Sequence, residues 1–404
     1  MNATGLIVEY NPFHNGHAHH VYHSKIETNA DVVIAVMSGN FLQRGEPALV
    51  SKWSRTNMAL AAGVDVVLEL PYVYATQKAE IFARGAISIL SAIGVNSICF
   101  GSESGNINEF DQLHSFIKQQ EDTYNLFIKE ALKKGDSYPR ALATAFKRLE
   151  NSDDILDLSL PNNILGYHYV KAIYEQKSPI KPFTIKREAA QYHDKEVLTQ
   201  SIASATSIRE ALIKKKDDLN SIKHVVPRET FNELKSHLKY YNSFQDWERL
   251  FPYLKYKVLT ASREELTNIY EAEEGLENRI SKLISNSSSF QELMINLKTK
   301  RYTWARLQRF CLHILTNTTK QDMSFTRATC PYIRILGMNS KGKTFINQRK
   351  KQLSIPLVPT ISKFKHPMID VEVRANSSYS LGYTSSIQTK ILKAEYGQPP
   401  IFVK

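Results

Sequence analysis

Thr4–His20, TGLIVEYNPFHNGHAHH, decides the fold, because the stretch changes period halfway along. Gly5–Tyr10 is a short apolar, β-branched run bounded by turn residues, which reads as a buried strand of a parallel sheet. Asn11-Pro12-Phe13 breaks it, and His14-Asn15-Gly16-His17 opens a helix. Strand, tight turn and helix N-terminus gather free backbone N–H groups and the positive end of the helix dipole at one point, where an anion is favoured. His14 and His17, three residues apart, fall on one side of a first helical turn, and Gly16 between them lets a flat ring or a phosphate approach the backbone. The same pair would suit a metal or plain core packing. No Asp, Glu or Cys stands at a complementary spacing, and Glu9 belongs to the strand end, so the position favours a nucleotide phosphate.

Outward from that stretch, strand and helix patterns alternate. Asp31–Met37 is a second strand, running into Ser38-Gly39-Asn40 and a loop through Phe41, Gln43, Arg44 and Glu46. Ser51–Ala62 is a helix closed by Gly63, Val64–Leu70 a third strand, Ala79–Ile93 a helix, and Ser97–Phe100 a fourth strand entering Gly101–Gly105. From about 106 to 176 the pattern is helical, and Lys181–Arg187 is a fifth strand followed by a loop with His193. This alternation predicts an α/β fold: a Rossmann-like parallel sheet with helices on both faces and right-handed crossovers. Its ligand crevice belongs at the carboxyl ends of the strands, where His14, His17, the 38–46 loop and Gly101–Gly105 collect. Ser204–Arg209, with Ser207 or Thr206 as cap and Arg209 in the first turn, is either an ordinary N-cap or a second anion site.

The 404 residues carry a net charge of +12, unevenly spread. Residues 1–210 hold 20 Lys+Arg against 23 Asp+Glu, and residues 211–404 hold 32 against 17, which suggests catalysis in the first part and a polyanion at the second. Cys99, Cys311 and Cys330 form neither a disulfide framework nor a zinc pattern. With no signal-peptide pattern at the N-terminus and no apolar run near the roughly 18–20 residues of a membrane span, the expected location is cytoplasmic, without a membrane partner. Nothing in the sequence sets an oligomeric state.

Beyond Lys214-Lys215-Lys216 the composition turns helical, with long segments at Glu229–Tyr241, Ser262–Ile284 and Phe290–Leu315 and no further strand alternation. Lys298–Phe310 interleaves five cations with three aromatics. At helical spacing Arg301, Arg306 and Arg309 share a broad face with Tyr302, while Trp304 points away and packs. Such a face is either solvated cover over a core or an RNA contact. Gly337–Lys343 is not a Walker loop: its spacing is wrong, and no strand-to-helix context is expected there.

His-x-Gly-His at a helix start and a late SATSIR turn (Ser204–Arg209) resemble the HIGH nucleotidyltransferase superfamily. The longer strings GLIVEYNPFHNGH, SGNFLQRGEPA, GSESG, LPNNILGYHY, IKREAAQYHD and SATSIREAL, in this order, resemble the bacterial tRNA(Met) cytidine acetate ligase family over essentially the whole chain. That resemblance implies a ligase that uses ATP, with Mg²⁺ accompanying it, to activate acetate as acetyl-adenylate. The acetyl group then passes to the wobble cytidine of elongator tRNA(Met). No carboxylate can be assigned as a Mg²⁺ ligand, and no tightly bound metal is expected. The resemblance carries the nucleotide site onto Val8, Glu9, Tyr10, Asn11, Pro12, Phe13, His14, Asn15, Gly16, His17, Ala18, His19, His20 and Val21, and onto Gly101, Asn162 of the Asn162-Asn163 pair, and Arg187. It implies a catalytic domain over residues 1–215 and a basic, mainly helical tRNA-binding domain over residues 216–404.

In that chemistry His14 and His17 are the expected catalytic stabilisers of phosphoryl charge, with Arg209, Arg187 and the Ser207 turn assisting on the phosphates. Asn40, Gln43 and Arg44 either meet acetate or cytosine or form a rigid turn beneath the pocket. Two other readings share the fold: a small-molecule adenylyltransferase, for which the basic second half is unexplained, and a non-catalytic RNA-binding protein, against which intact His14, Gly16, His17 and Arg209 speak.

Overall fold

A computed structural model describes residues 1–149, 156–187, 203–214 and 218–404; the His193 loop and Lys215-Lys216 lie outside them. Five parallel strands, β1 (Ala3–Val8), β2 (Val32–Ser38), β3 (Val66–Leu70), β4 (Ser97–Ser102) and β5 (Lys181–Lys186), stand where the alternation predicts them. Their order in the sheet is β5-β4-β1-β2-β3. β2 is buried along its whole length. Its Val32, Ile34 and Val36 join one hydrophobic core, and Val33, Ala35 and Met37 the other, so the pleat feeds both faces of a sheet covered on each side. Among the described residues, four helices, Ile107–Gln119, Glu121–Lys133, Tyr138–Lys147 and Pro161–Glu175, lie in the insertion between β4 and β5.

The second half departs from the expected pattern. Although most of it is helical, β6 (Ile333–Asn339), β7 (Leu357–Val358) and β8 (Ile401–Val403) extend the sheet past β3. β6 runs antiparallel to β3, and β7 and β8 both pair with β6. Elements of two and three residues are too short for periodicity to register, and the apolar core of β6 is shorter than the helical runs before it. The expected boundary at 215/216 therefore marks a change of element type, across which the sheet continues.

The Gly337–Lys343 string also needs correction, because β6 does lead straight into a helix, Ser340–Arg349. Asn339 caps it, accepting from Gly342 N at 2.8 Å. Since β6 is antiparallel, this junction lies at the edge opposite the carboxyl ends of β1–β3. A Cβ on Gly342 would come within 2.1 Å of the Asp65 carbonyl oxygen, so the glycine serves close packing against the start of β3.

Sequence reading missed a buried charge cluster at the β3–β6 seam. Lys52 Nζ, on helix α2 (Lys52–Ala61), lies 2.6 Å from Glu69 and 2.9 Å from Glu395, with Glu372 at 3.7 Å. Arg334 Nη1 pairs with Glu69 at 2.7 Å and with Glu395 at 2.5 Å. Every one of these side chains is at most 4% exposed. Burial, with Glu69 beside it, pushes the Glu372 carboxyl up to about 8. Two cations thus face three carboxyl groups, and a proton on Glu372 balances the set.

Candidate active site

The carboxyl ends of β1, β2, β4 and β5 open into one cleft of about 1270 Å³, larger than the roughly 300–1,000 Å³ of most small-molecule sites. The turn after β1 is held from beneath. Arg55 on α2 is fully buried, and its guanidinium donates to the carbonyl oxygens of Glu9 (2.7 Å), Ser38 (3.1 Å), Gly39 and Val50 (3.3 Å), tying the ends of β1 and β2 together. Asn11 Oδ1 accepts from Leu49 N at 2.7 Å, and Arg209 Nη1 donates to the Asn11 carbonyl at 2.8 Å. Between these anchors Tyr10 has φ of 51°, a left-handed conformation that a bulky side chain adopts only where its surroundings impose it.

Helix α1 (Asn15–Glu27) begins at this turn, with His14 as its N-cap. His14 Nδ1 accepts from Gly16 N at 3.1 Å, and His17 Nδ1 accepts from His14 N at 3.3 Å. This is a capping box in which imidazoles replace the usual hydroxyl and carboxylate. The two rings stack at 3.7 Å between centroids. With both Nδ1 atoms accepting, each neutral ring carries its proton on Nε2, the free donor. Burial, with Arg187 and Arg209 nearby, pushes His14 down to about 3, and burial beside His14 holds His17 well below the usual imidazole range. Both are therefore neutral N–H donors near pH 7.

That direction has a consequence for stability. A histidine whose folded pKa is depressed stabilises the fold above its unfolded value near 6.5 and loses that contribution as pH falls toward the folded value. The urea midpoint is therefore expected to decline as pH falls from 6.5 to 4, and less steeply in His14→Asn, which still caps the helix but does not titrate. Equal slopes in the two proteins would contradict the assignment.

Of the expected nucleotide residues, Val8, Glu9, Tyr10, Asn11, His14, Gly16, His17, His19, His20, Gly101, Asn162, Arg187 and Arg209 line the cleft. Pro12, Phe13, Asn15, Ala18 and Val21 do not: Phe13 and Val21 are core, and Asn15 Nδ2 donates to the His224 carbonyl at 3.1 Å. Arg187 Nη1 donates to Asn162 Oδ1 at 3.4 Å above Gly101, while the neighbouring Asn163 is buried and accepts from Glu103 N and Ser104 N, shaping the loop after β4. The Ala205–Lys214 helix is capped by Ser204, whose hydroxyl accepts from Ser207 N at 3.1 Å; neither Ser207 nor Thr206 is the cap, and Ser207 is not part of the cleft lining. Arg209 does line it, paired with Glu46 at 2.7 Å.

The 38–48 loop divides. Asn40 is buried, accepting from Lys52 N at 2.8 Å and donating to Asn376 Oδ1 at 2.6 Å, so it supports the turn and lies outside the cleft. Gln43 and Arg44 line the cleft. Gln43 N donates to Glu9 Oε1 at 2.7 Å, and burial raises that carboxyl above its ordinary range. Gly45, at φ 79°, packs so tightly that a Cβ would sit 2.7 Å from Arg309 N, and its carbonyl accepts from Trp247 Nε1 at 3.0 Å.

On the facing wall, Arg301 pairs with Glu274, Arg306 with Glu273 at 2.7 Å, and Arg309 with Glu271 at 2.7 Å. The arginine side chains grade from 50% exposed at Arg301 to 26% at Arg306 and 8% at Arg309, so the innermost is a structural ion pair. Trp304 does not pack as expected: it is 37% exposed, with Nε1 donating to Gln308 Oε1 at 3.2 Å. Lys78, Tyr138 and His168 also line the cleft, and sequence reading did not single them out. Only His168, inside the LPNNILGYHY string, carried a signal that could have pointed to it.

A His-x-Gly-His helix start that presents two neutral imidazole donors at the carboxyl edge of a sheet of this order defines a class. The chain belongs to the HIGH nucleotidyl transferase family, whose model matches residues 1–394. Its relatives include the tRNA(Met) cytidine acetate ligase of Halalkalibacterium halodurans, 51% identical over 99% of this chain and 97% of that one, and that of Bacillus subtilis, 49% identical over the same shares. The crystal structure of Thermotoga maritima TmcAL bound with alpha-thio ATP superposes with a TM-score of 0.91 at 33% identity, covering 100% of both chains. Among the described residues no helix is long and apolar enough to cross a membrane.

Proposed function

We propose that this protein is an ATP-dependent ligase that joins acetate to the exocyclic amine of the wobble cytidine in elongator tRNA(Met), in the cytoplasm. One oxygen of acetate attacks the α-phosphorus of ATP, pyrophosphate leaves, and acetyl-adenylate remains. The cytidine N4 then attacks the acetyl carbon, loses a proton and expels AMP. The observation that carries the reading is the pair of neutral imidazoles at the head of α1. Their Nε2–H groups, with the helix N-terminus, Arg187 and Arg209, supply donors where charge grows on the phosphoryl oxygens.

Mg²⁺ would travel on the triphosphate, which suits an ion that binds through substrate phosphates and water. The three-carboxylate group Glu69, Glu372 and Glu395 does not fit it, because Lys52 and Arg334 already fill that cluster. Residues 216–404 supply the RNA-facing side, and Arg301 and Arg306 are its cations at the cleft.

Labelled acetate incubated with ATP and bulk tRNA tests the reaction. The label is expected in RNA as acetylcytidine, and AMP joined to a small nucleotide product would instead support the adenylyltransferase reading. Arg301→Glu with Arg306→Glu should weaken tRNA binding and lower the slope of log affinity against log salt by about 0.7 per lost single-strand phosphate contact. Unaltered binding and slope would move the RNA surface elsewhere.

A further inference from the structure

The cleft runs on past its nucleotide end. Asn162 and His168 both line it from the Pro161–Glu175 helix, six residues or about 9 Å apart along the axis at 1.5 Å per residue. Around His168 the walls change character. Leu165, three residues back on the same face, gives an apolar floor, and Tyr138 adds an aromatic ring with Lys78 Nζ 5.0 Å from its centroid. Glu80 bridges Lys78 and Lys171 at 3.2 Å each, and Glu175 lies 3.5 Å from Lys171, so the two ammonium groups beside the ring are answered by two carboxylates.

His168 is 6% exposed, and its Nδ1 is buried with no hydrogen-bond partner. That atom is closed to the cleft, so the ring meets a ligand there through its other nitrogen, Nε2. Burial pushes this imidazole down to about 4 against the pull of Glu80, so it is neutral and offers one donor and one acceptor. A phosphate would call for a charged group at this depth. A base edge calls for a neutral one, and an apolar floor with an aromatic ring and a lysine at its edge are the walls that receive a base splayed out of a single-stranded loop.

We propose that this lobe holds one nucleobase of the tRNA anticodon loop next to the acetylated cytidine, with His168 hydrogen-bonded to its edge, Tyr138 beside it and Lys78 toward its phosphate. The proposal rests on the RNA-acetylating reading. The cytidine itself belongs at the His14–His17 end, where its amine meets the acetyl group; the offset along the helix leaves His168 for a neighbour and so for the choice of tRNA.

The test compares wild type, His168→Leu and His168→Asn. Acetate-dependent ATP–pyrophosphate exchange without RNA should persist in all three. In acetyl transfer, His168→Leu should raise the KM for tRNA about tenfold, the loss of one hydrogen-bonded base contact, and His168→Asn should recover most of it. Transcripts with one anticodon-loop base at a time removed to an abasic sugar locate the partner. At one position flanking the cytidine the wild-type KM should rise as much, and His168→Leu should add nothing further. Tyr138→Leu, assayed the same way, should couple to that same position and serves if His168→Leu does not fold. An unchanged KM in the variants, or additive losses at every position, overturns the inference while wild-type transfer leaves the reaction intact. A wild type that exchanges pyrophosphate but never acetylates RNA overturns both.

Discussion

Replacing His17 by alanine is expected to slow acetyl-adenylate formation by about 10²–10³, the usual cost of deleting one donor from a developing oxyanion. Acetate-dependent ATP–pyrophosphate exchange reads this directly, and tRNA affinity should stay as it was. Alanine also deletes the acceptor for His14 N–H, which costs about 1 kcal/mol of helix capping. His17→Glu separates the two effects, since glutamate at this place in a capping box still accepts from the cap backbone but carries no N–H to present to a phosphate. That variant should melt like the wild type and exchange pyrophosphate as poorly as the alanine variant. Normal exchange by His17→Glu would remove the imidazole from the chemistry.

The second large effect is on stability and lies away from the cleft. Lys52→Met leaves Glu69, Glu372 and Glu395 buried with Arg334 as the ion-pair partner that remains among the described residues, and breaking a buried ion set by removing one partner costs about 3–5 kcal/mol. Denaturant unfolding should show the loss in full at alkaline pH. At acid pH it should shrink, because protonated carboxyl groups no longer need the ammonium. Glu372→Gln should behave oppositely. Its raised carboxyl pKa stabilises the fold below about 4.5 and loses that contribution as pH rises through about 8, so a permanently neutral amide should flatten the alkaline decline. Equal pH profiles for wild type and Glu372→Gln would place the proton elsewhere.

The parts of this molecule legible in the sequence are those whose signals are local. The run Val32–Ser38 is apolar on both faces of its pleat, which leaves a two-sided sheet as its only comfortable place, and His14-Asn15-Gly16-His17 abuts the strand that positions it. Asn162 and Arg187 came through resemblance to a family, since nothing in their own neighbourhoods marks them. Asn40 misled for a physical reason: the loop it sits on does border the cleft, but its amide is consumed by Lys52 N and Asn376, a contact spanning 336 positions of sequence. The charge cluster was invisible for the same reason, because Lys52, Glu69, Arg334, Glu372 and Glu395 each look like a solvated surface residue until the sheet brings them together. The arginines of 301–309 were legible as a basic face, but the glutamates at 271–274 that answer them were not, since ion pairing across a loop leaves no periodicity.

Because β6 closes the open side of β3 and brings Arg334 to Glu69, the half that carries the His14–His17 turn is not a detachable module. A fragment ending near residue 215 would carry a bare row of amides and carbonyls along β3, with a carboxylate stranded in its apolar flank, and such an edge is a template for self-association. The carboxy-terminal third is thus as much a part of the sheet that frames the cleft as the opening strand.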